Sequence, residues 1–336
     1  MKFLPTFSME KRKPNFSILL IICFLLFLFS TLLSLLLGSS SLSLRELLRP
    51  DDSVRRILLH VRLPRTLAAA LAGMALAAAG AIIQTVMGNP LAGPNLIGVN
   101  AGAGLAAVLC SAFLPMLPGA MATGAFLGAL AALLLIYSVA KATGASRTTL
   151  ILSGIAVSSI LSAGIDAVVT LVPDALMGIS AFRIGSLQSV ALNSLFLPGI
   201  YIAMALVLSF SLCNEMDVLS LGEETARTLG LNTGRIRFLL LLAASMLSGS
   251  AVSFCGLLGF VGLIVPHAAR FLTDSGSRQF LSVSALLGGS FVILCDILAR
   301  VLFSPYEIPV GIVMSFIGGP FFLWLLIRRK GGRRHD

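Results

Sequence analysis

Residues 66–98 read TLAAALAGMALAAAGAIIQTVMGNPLAGPNLIG. No Asp, Glu, Lys or Arg occurs among them, and the charge-free run continues from Thr66 to Ala140. The part from Thr66 to Met87 is apolar and long enough, as a helix rising 1.5 Å per residue, to cross a ~30 Å hydrocarbon core. The part that follows, GNPLAGPNLIG at 88–98, packs two prolines, three glycines and two asparagines into eleven residues. Prolines stop helices and glycines allow tight backbone paths, so this string reads as a turn between two spans at one membrane face.

Working outward from that pair, the chain is 336 residues long, 57% hydrophobic and 11% charged, with a mean hydropathy of +1.00. Soluble domains carry about 25% charged residues. The composition and the separated apolar runs therefore specify an all-α, polytopic membrane protein. A β-barrel would show alternating segments of about ten residues, and none is visible. About ten spans can be placed, at roughly 16–37, 66–87, 96–114, 119–140, 148–171, 192–212, 235–256, 258–271, 281–303 and 308–328. The eighth is too short to cross alone and contains Pro266, which predicts a half-helix or oblique segment buried in protein. Residues 16–328 form one helical membrane bundle, between an N-terminal tail, 1–15, and a basic tail, 329–336.

Ten spans return both termini to one side. Lys11, Arg12 and Lys13 at one end and RRKGGRR at the other mark that side as cytoplasmic. Two readings of Met1–Leu37 stand, a cleaved signal peptide or a retained first span; the length of the apolar run favours the span. The net charge of +10 fits loop arginines and lysines better than nucleic-acid binding, because no basic stretch is interleaved with aromatics. Cys23, Cys110, Cys213, Cys255 and Cys295 form no CxxC pair and read as small buried residues.

One segment opposes the charge bias. Residues 45–65 should lie outside, yet they carry Arg45, Arg49, Arg55, Arg56, Arg62 and Arg65, offset only by Glu46, Asp51 and Asp52. An acidic partner or lipid headgroups would use such a surface. The polar stretch 213–236 contains Glu223 and Glu224 at i−4 and i−3 to Arg227, then Gly230, which predicts a short capped helix. Inside the apolar runs stand Asp166, flanked one turn away by Ser162 and Thr170, and the pair Asp296 and Arg300 on one helix face. That pair reads as an intramembrane ion pair or as part of a relay. The chain contains no GxxxxGK[ST] loop, and His60, His267 and His335 give no zinc or hydrolase spacing. No catalytic set and no metal site are expected on this chain.

Several long motifs, in order, resemble the FecCD-type permeases of ABC importers for iron–siderophores, haem and cobalamin. They are RLPRTLAAALAGMALAAAGAIIQTVMGNPLAGPNLIGVNAGAG (62–104), LILSGIAVS (150–158), LGEETARTLGLN (221–232), GFVGLIVPHAAR (259–270) and EIPVGIVMSFIGGPFFLWLL (307–326). The resemblance implies a type II importer permease of ten spans, working as a homodimer or heterodimer in a bacterial cytoplasmic membrane. It implies separate cytosolic ATPase subunits that hold ATP and magnesium, an extracytoplasmic binding protein, and no cofactor on this chain. It implies an ATPase-coupling segment at about 217–232 with Leu221, Gly222, Glu223, Glu224, Ala226, Arg227 and Gly230. It implies a cytoplasmic gate at Asn89, Pro90 and Leu91 with Thr143, Gly144 and Ser146, and binding-protein docking by Arg62, Arg65 and Arg300.

The family often carries a tryptophan where this chain reads Phe182, Arg183, Ile184, Gly185 and Ser186. Arg183 there suits an anionic ligand such as a ferric siderophore, while cobalamin and haem stay open as cargo. A proton-coupled secondary transporter, with Asp166 and Asp296 as proton sites, is the alternative from another class.

Overall fold

The computed structural model describes residues 15–38, 51–142, 147–273 and 276–331. The expectations placed on Thr143, Gly144 and Ser146, on Arg45, Glu46 and Arg49, and on the basic clusters at Lys11–Lys13 and at 333–334 lie outside the described residues. Every regular element among the described residues is a helix.

Helix α1 (Phe16–Leu36) is apolar on all sides and buries only the stripe Leu19, Cys23, Ser30 and Ser34. Next comes one long run made of α2 (Asp52–Ile57), a π-turn (Leu58–Arg62) and α3 (Leu63–Met87). Asp51 opens it, its carboxylate accepting from the Val54 N–H at 3.1 Å. Pro64 follows directly on the π-turn, where the regular i→i−4 pattern is already interrupted. A 3₁₀ turn (Pro94–Ile97) leads to α4 (Val99–Phe113), then α5 (Ala120–Ala142) and α6 (Arg147–Leu171). The short α7 (Asp174–Ile184) precedes α8 (Leu192–Ser211). Two further short helices, α9 (Cys213–Ser220) and α10 (Glu223–Thr228), lead into α11 (Thr233–Cys255). The last three are α12 (Val261–Leu272), α13 (Ser277–Val301) and α14 (Val310–Gly331).

Seven of these runs are long and apolar enough to cross a membrane, and Val99–Phe113 and Val261–Leu272 are shorter apolar helices. The last expected segment appears as α14, a helix of 22 residues. At 12 residues, α12 rises about 18 Å, well short of a ~30 Å core. Helix α7 was not among the expected spans. It is 11 residues of mixed polarity, ended where Gly185 takes φ +82°, and so lacks the long apolar signature that marks a span.

The bundle is built around α3. Its Ala- and Gly-rich surface is buried nearly all round by α13, α11, α12, α8 and α1. Helices α4, α5 and α6 form a second group, joined to the first through α11. Close approach is set by glycine. A Cβ on Gly73 or Gly288 would strike the backbone of the other, joining α3 to α13. Gly80 stands in the same relation to Gly262 of α12, and Gly102 of α4 to Gly128 of α5. Without a hydrophobic drive between helices in lipid, such small-residue seams supply the van der Waals contact that holds them together. Helix α6 is the opposite case: only 17% of its apolar window is buried, against 83% for Asp52–Met87.

Gly80→Leu forces α3 away from α12. It is expected to lower the thermal midpoint of the detergent-solubilised protein by the equivalent of about 1–3 kcal/mol. Gly199→Ala in α8, where a Cβ meets nothing within 4 Å, serves as the tolerated control; equal midpoints would refute the seam.

Candidate functional site

At the end of the bundle that carries α2, three arginines and two carboxylates are gathered below the surface. Asp296 is fully buried; Arg65 Nε donates to both its carboxylate oxygens, at 3.0 and 3.1 Å. Arg300, four residues on, places Nε 3.1 Å from Asp296 Oδ2. Arg65 also reaches Glu307 Oε2 through Nη1 at 2.6 Å. The remaining guanidinium donors go to the C-terminal end of α1: Arg300 donates to the Ser34 and Leu37 carbonyls and to Ser34 Oγ, and Arg62 to the Leu35 and Leu36 carbonyls. Cations at unpaired helix carbonyls are favourable. The cluster therefore fastens α1, α3, α13 and the 302–309 segment at one point.

Arg62, Arg65 and Arg300 are the residues that the sequence reading expects to dock a binding protein. They are 4%, 5% and 3% exposed, with donors committed to internal acceptors, because an isolated guanidinium at this depth is costly. Arg55 and Arg56 of α2 are exposed at this end.

At the opposite end, α9 and α10 form a compact hairpin. Glu223 is held from two sides: Arg227 Nη2 donates to Oε1 at 2.7 Å, and the buried Arg237 of α11 donates through Nη2 to Oε2 at 2.8 Å. Gly222 enters α10 at φ +110°. Gly230 leaves it at φ +82°, with its N–H on the Arg227 carbonyl and the Leu231 N–H on the Ala226 carbonyl. That is the paired bonding of a Schellman end, and it favours glycine. Ala226 is buried, Glu224 is exposed, and Leu221 and Leu229 are each 63% exposed. From α9, Asp217 Oδ1 accepts the Ser277 N–H at 2.7 Å, capping the start of α13. The hairpin is thus a rigid apolar-tipped projection bonded to the starts of α11 and α13.

The turn at 88–98 is equally well satisfied. Gly88 is left-handed, and its N–H and that of Asn89 return to the Thr85 and Gln84 carbonyls. Asn89 Oδ1 accepts the Leu91 N–H at 3.0 Å, and the Ala92 N–H bonds the Asn89 carbonyl. Pro90 is half-buried, as is Leu91. Leu91, Pro94, Phe260, Gly262 and Phe322 help to line a cavity of about 210 Å³. Beside it, Gln84 links α3 to α12, donating to the Leu263 carbonyl and accepting from Arg270 Nε, both at 3.4 Å. The Arg270 guanidinium also stacks 4.2 Å from the Phe280 ring centroid.

Asp166 is exposed on α6. The Thr170 hydroxyl donates to its main-chain carbonyl at 2.7 Å, rather than to its carboxylate. Sequence reasoning missed Glu307, Arg237 and Gln84. Each bonds a residue far away in the chain, so no local spacing announces it. The signal available was a lone polar group beside or within an apolar run, which demands a partner.

The sequence profile of the FecCD transport family matches residues 25–328. The Fe(3+)-citrate import system permease protein YfmD of Bacillus subtilis is 39% identical over 332 residues, covering 96% of this chain and 98% of that one. The hemin transport system permease protein HmuU of Yersinia pestis is 36% identical over 306 residues, covering 88% and 91%. Among solved structures, a metal-chelate type ABC transporter in an inward-facing conformation superposes with a TM-score of 0.85 at 29% identity, covering 93% of this chain and 99% of that one.

Arg65→Ala leaves Asp296 with one cationic partner in a dry site. The expected loss is about 3–5 kcal/mol, as for other broken buried pairs. Exposed Arg55→Ala should stay within about 0.5 kcal/mol of wild type. Thermal midpoints in detergent decide, and equal values for the two variants would reject the clamp.

Proposed function

Because this chain belongs to the FecCD transport family, we propose that it carries an iron(III) chelate of the siderophore or citrate class into the cell, as one half of a permease dimer. It is an ABC importer permease, a transporter and not an enzyme. ATP, with magnesium, is hydrolysed on separate ATPase subunits, and a binding protein delivers the chelate from outside. The α9–α10 end faces the cytosol together with both termini, and the α2 end faces outward.

The observation that carries this reading is the hairpin. A soluble motor needs a projection that is rigid, apolar at its tip and bonded to the spans it moves. Exposed Leu221 and Leu229 supply the tip, and Gly222 and Gly230 set its ends. Arg237 and Asp217 join it to α11 and α13. Closure of an ATPase dimer beneath two such hairpins rocks the halves about a central path, which is alternating access by largely rigid bodies. Asn89, Pro90 and Leu91 stand at the cytosolic mouth of that path and act as its inner gate. Their turn is pinned to α3, and Gln84 couples α3 to α12 beside it.

For docking, the exposed Arg55 and Arg56 meet acidic groups on the binding protein, while the buried Arg62, Arg65 and Arg300 hold the rim beneath them. Haem is the second reading for cargo, favoured by the likeness to the hemin permease. The secondary-transporter reading is weaker, since Asp296 is clamped between two arginines rather than open to a proton path.

Proteoliposomes holding the permease with its ATPase, and supplied with its binding protein, test the proposal. Radioiron chelate uptake should require ATP and ignore a proton gradient; uptake that follows the gradient without ATP would refute it. Arg237→Met, which removes the tie between Glu223 and α11, should raise the ATP hydrolysed per chelate imported several-fold, whereas an unchanged ratio would remove the hairpin from coupling.

Arg55→Glu with Arg56→Glu should weaken binding-protein affinity most at low salt, because exposed charge pairs are screened with a Debye length of ~10 Å at 0.1 M. An affinity equal to wild type at every ionic strength would exclude these residues from docking.

A further inference from the structure

A second cavity, of about 450 Å³, opens among the C-terminal end of α7, the α11–α12 connection and the start of α14. Its wall includes Arg183, Ile184, Leu257, Gly311, Ser315 and Phe316. We propose that Arg183 is a specificity-determining residue of this permease, selecting negatively charged metal chelates at this cavity. The inference rests on the transport reading above and deepens it by naming the charge class of the cargo.

Three observations carry it. First, Arg183 is the one charged residue on the wall, among apolar and small neighbours. Second, it is exposed, and among the described residues its side chain has no ion pair or hydrogen bond. The arginines that cluster at the same end, Arg62, Arg65 and Arg300, are all committed to internal acceptors. Arg183 therefore keeps a planar fork of five donors for something outside the chain, and that fork matches carboxylate and similar oxyanions in a bidentate way. Asp166, the exposed acid of α6, does not line this cavity and does not neutralise it.

Third, the backbone that presents Arg183 is fixed on both sides. The Leu257 N–H donates to the Phe182 carbonyl at 2.8 Å, the Ser186 N–H to the Cys255 carbonyl at 3.0 Å, and the Gly311 N–H to the Gly185 carbonyl at 3.1 Å. A Cβ on Gly256 would collide with the Phe182 carbonyl, and one on Gly311 with the Ile184 carbonyl. Two segments from distant parts of the chain, 255–257 and the start of α14, thus close tightly around residues 182–186. These bonds fix the backbone from which the Arg183 side chain extends into the cavity. The volume lies within the ~300–1,000 Å³ of small-molecule sites. Apolar walls around a guanidinium strengthen its attraction for an anion relative to open water. A chelate with free carboxylate or phenolate oxygens matches this site; a cationic chelate does not.

The test is equilibrium binding to the purified permease–ATPase complex, without binding protein and without ATP, so that no other filter contributes. The probes are ferric dicitrate, an anion, and the neutral iron(III) tris-acetohydroxamate. Arg183→Gln is expected to weaken ferric dicitrate binding about tenfold, the equivalent of one ~1.4 kcal/mol step, and to leave the neutral complex unchanged. Arg183→Lys should recover most of the loss. Equal ferric dicitrate affinity in wild type and Arg183→Gln overturns the inference, as does an equal loss for both probes, which a merely structural residue would give. Absence of ferric dicitrate binding by wild type overturns it too. If charge-selective binding is intact but ATP drives no uptake, the transport reading fails and the assignment of Arg183 stands.

Discussion

A carboxylate buried in an apolar bundle has to be matched, and one end of this structure is arranged around that requirement. Asp296 is enclosed by Arg65 and Arg300. Each arginine has donors left over, and those draw in Glu307 and the last carbonyls of α1. Three positive and two negative groups leave a surplus of one charge once Arg62 is included, and Arg62 is itself turned onto the α1 carbonyls. The register of α1 against α3 and α13 is therefore set by where carbonyls are free to accept, more than by shape. The clamp extends further: Glu307 precedes α14, its carbonyl accepts from Gln188, and Gly311 bonds Gly185. The position of α14 and of the frame beneath Arg183 follows from the same interaction.

Charge fixes the ends, and glycine fixes the middle. The Gly73–Gly288 and Gly80–Gly262 contacts bring α3 against α13 and α12 with no side chain between them. Such seams are short-ranged and unforgiving, so the core of α3, α12 and α13 moves as one body. The open face of α6 has no comparable seam along most of its length. A bundle with a rigid inner group and a loosely covered face is suited to movement of whole halves against each other, rather than to bending within a half.

Much of this was readable from residues. The charge-free run from Thr66 to Ala140, broken at 88–98 and again between 114 and 119, gave three spans and the turns between them, and the Glu223–Arg227 spacing with Gly230 gave α10. These are local signals, in which period, cap and breaker lie within one or two turns of each other. What could not be read was the direction in which Arg62 and Arg65 face. RLPR looks the same whether its guanidiniums meet a partner or an internal carboxylate 231 residues away. The π-turn at Leu58–Arg62 shifts the helix phase just ahead of Pro64, so a constant 3.6-residue period misplaces the residues before it. Arg237 was hidden for the same reason, since its partner Glu223 lies 14 residues back across two turns.

The polar groups of this chain divide by what they are bonded to, and that division separates structure from function better than burial or motif does. Arg62, Arg65, Arg300, Arg237 and Asp296 are spent inside the chain, and their removal is felt first as lost stability. Arg55 and Arg56 extend into solvent from a short, well-capped helix, and Arg183 faces a cavity. Their charge is held in position without being neutralised. Among the described residues none of these three arginines is in an ion pair, so each keeps its full charge at the surface. In this chain those positions are the exposed face of α2 and one cavity wall. The buried clamp lies between them and keeps both in place.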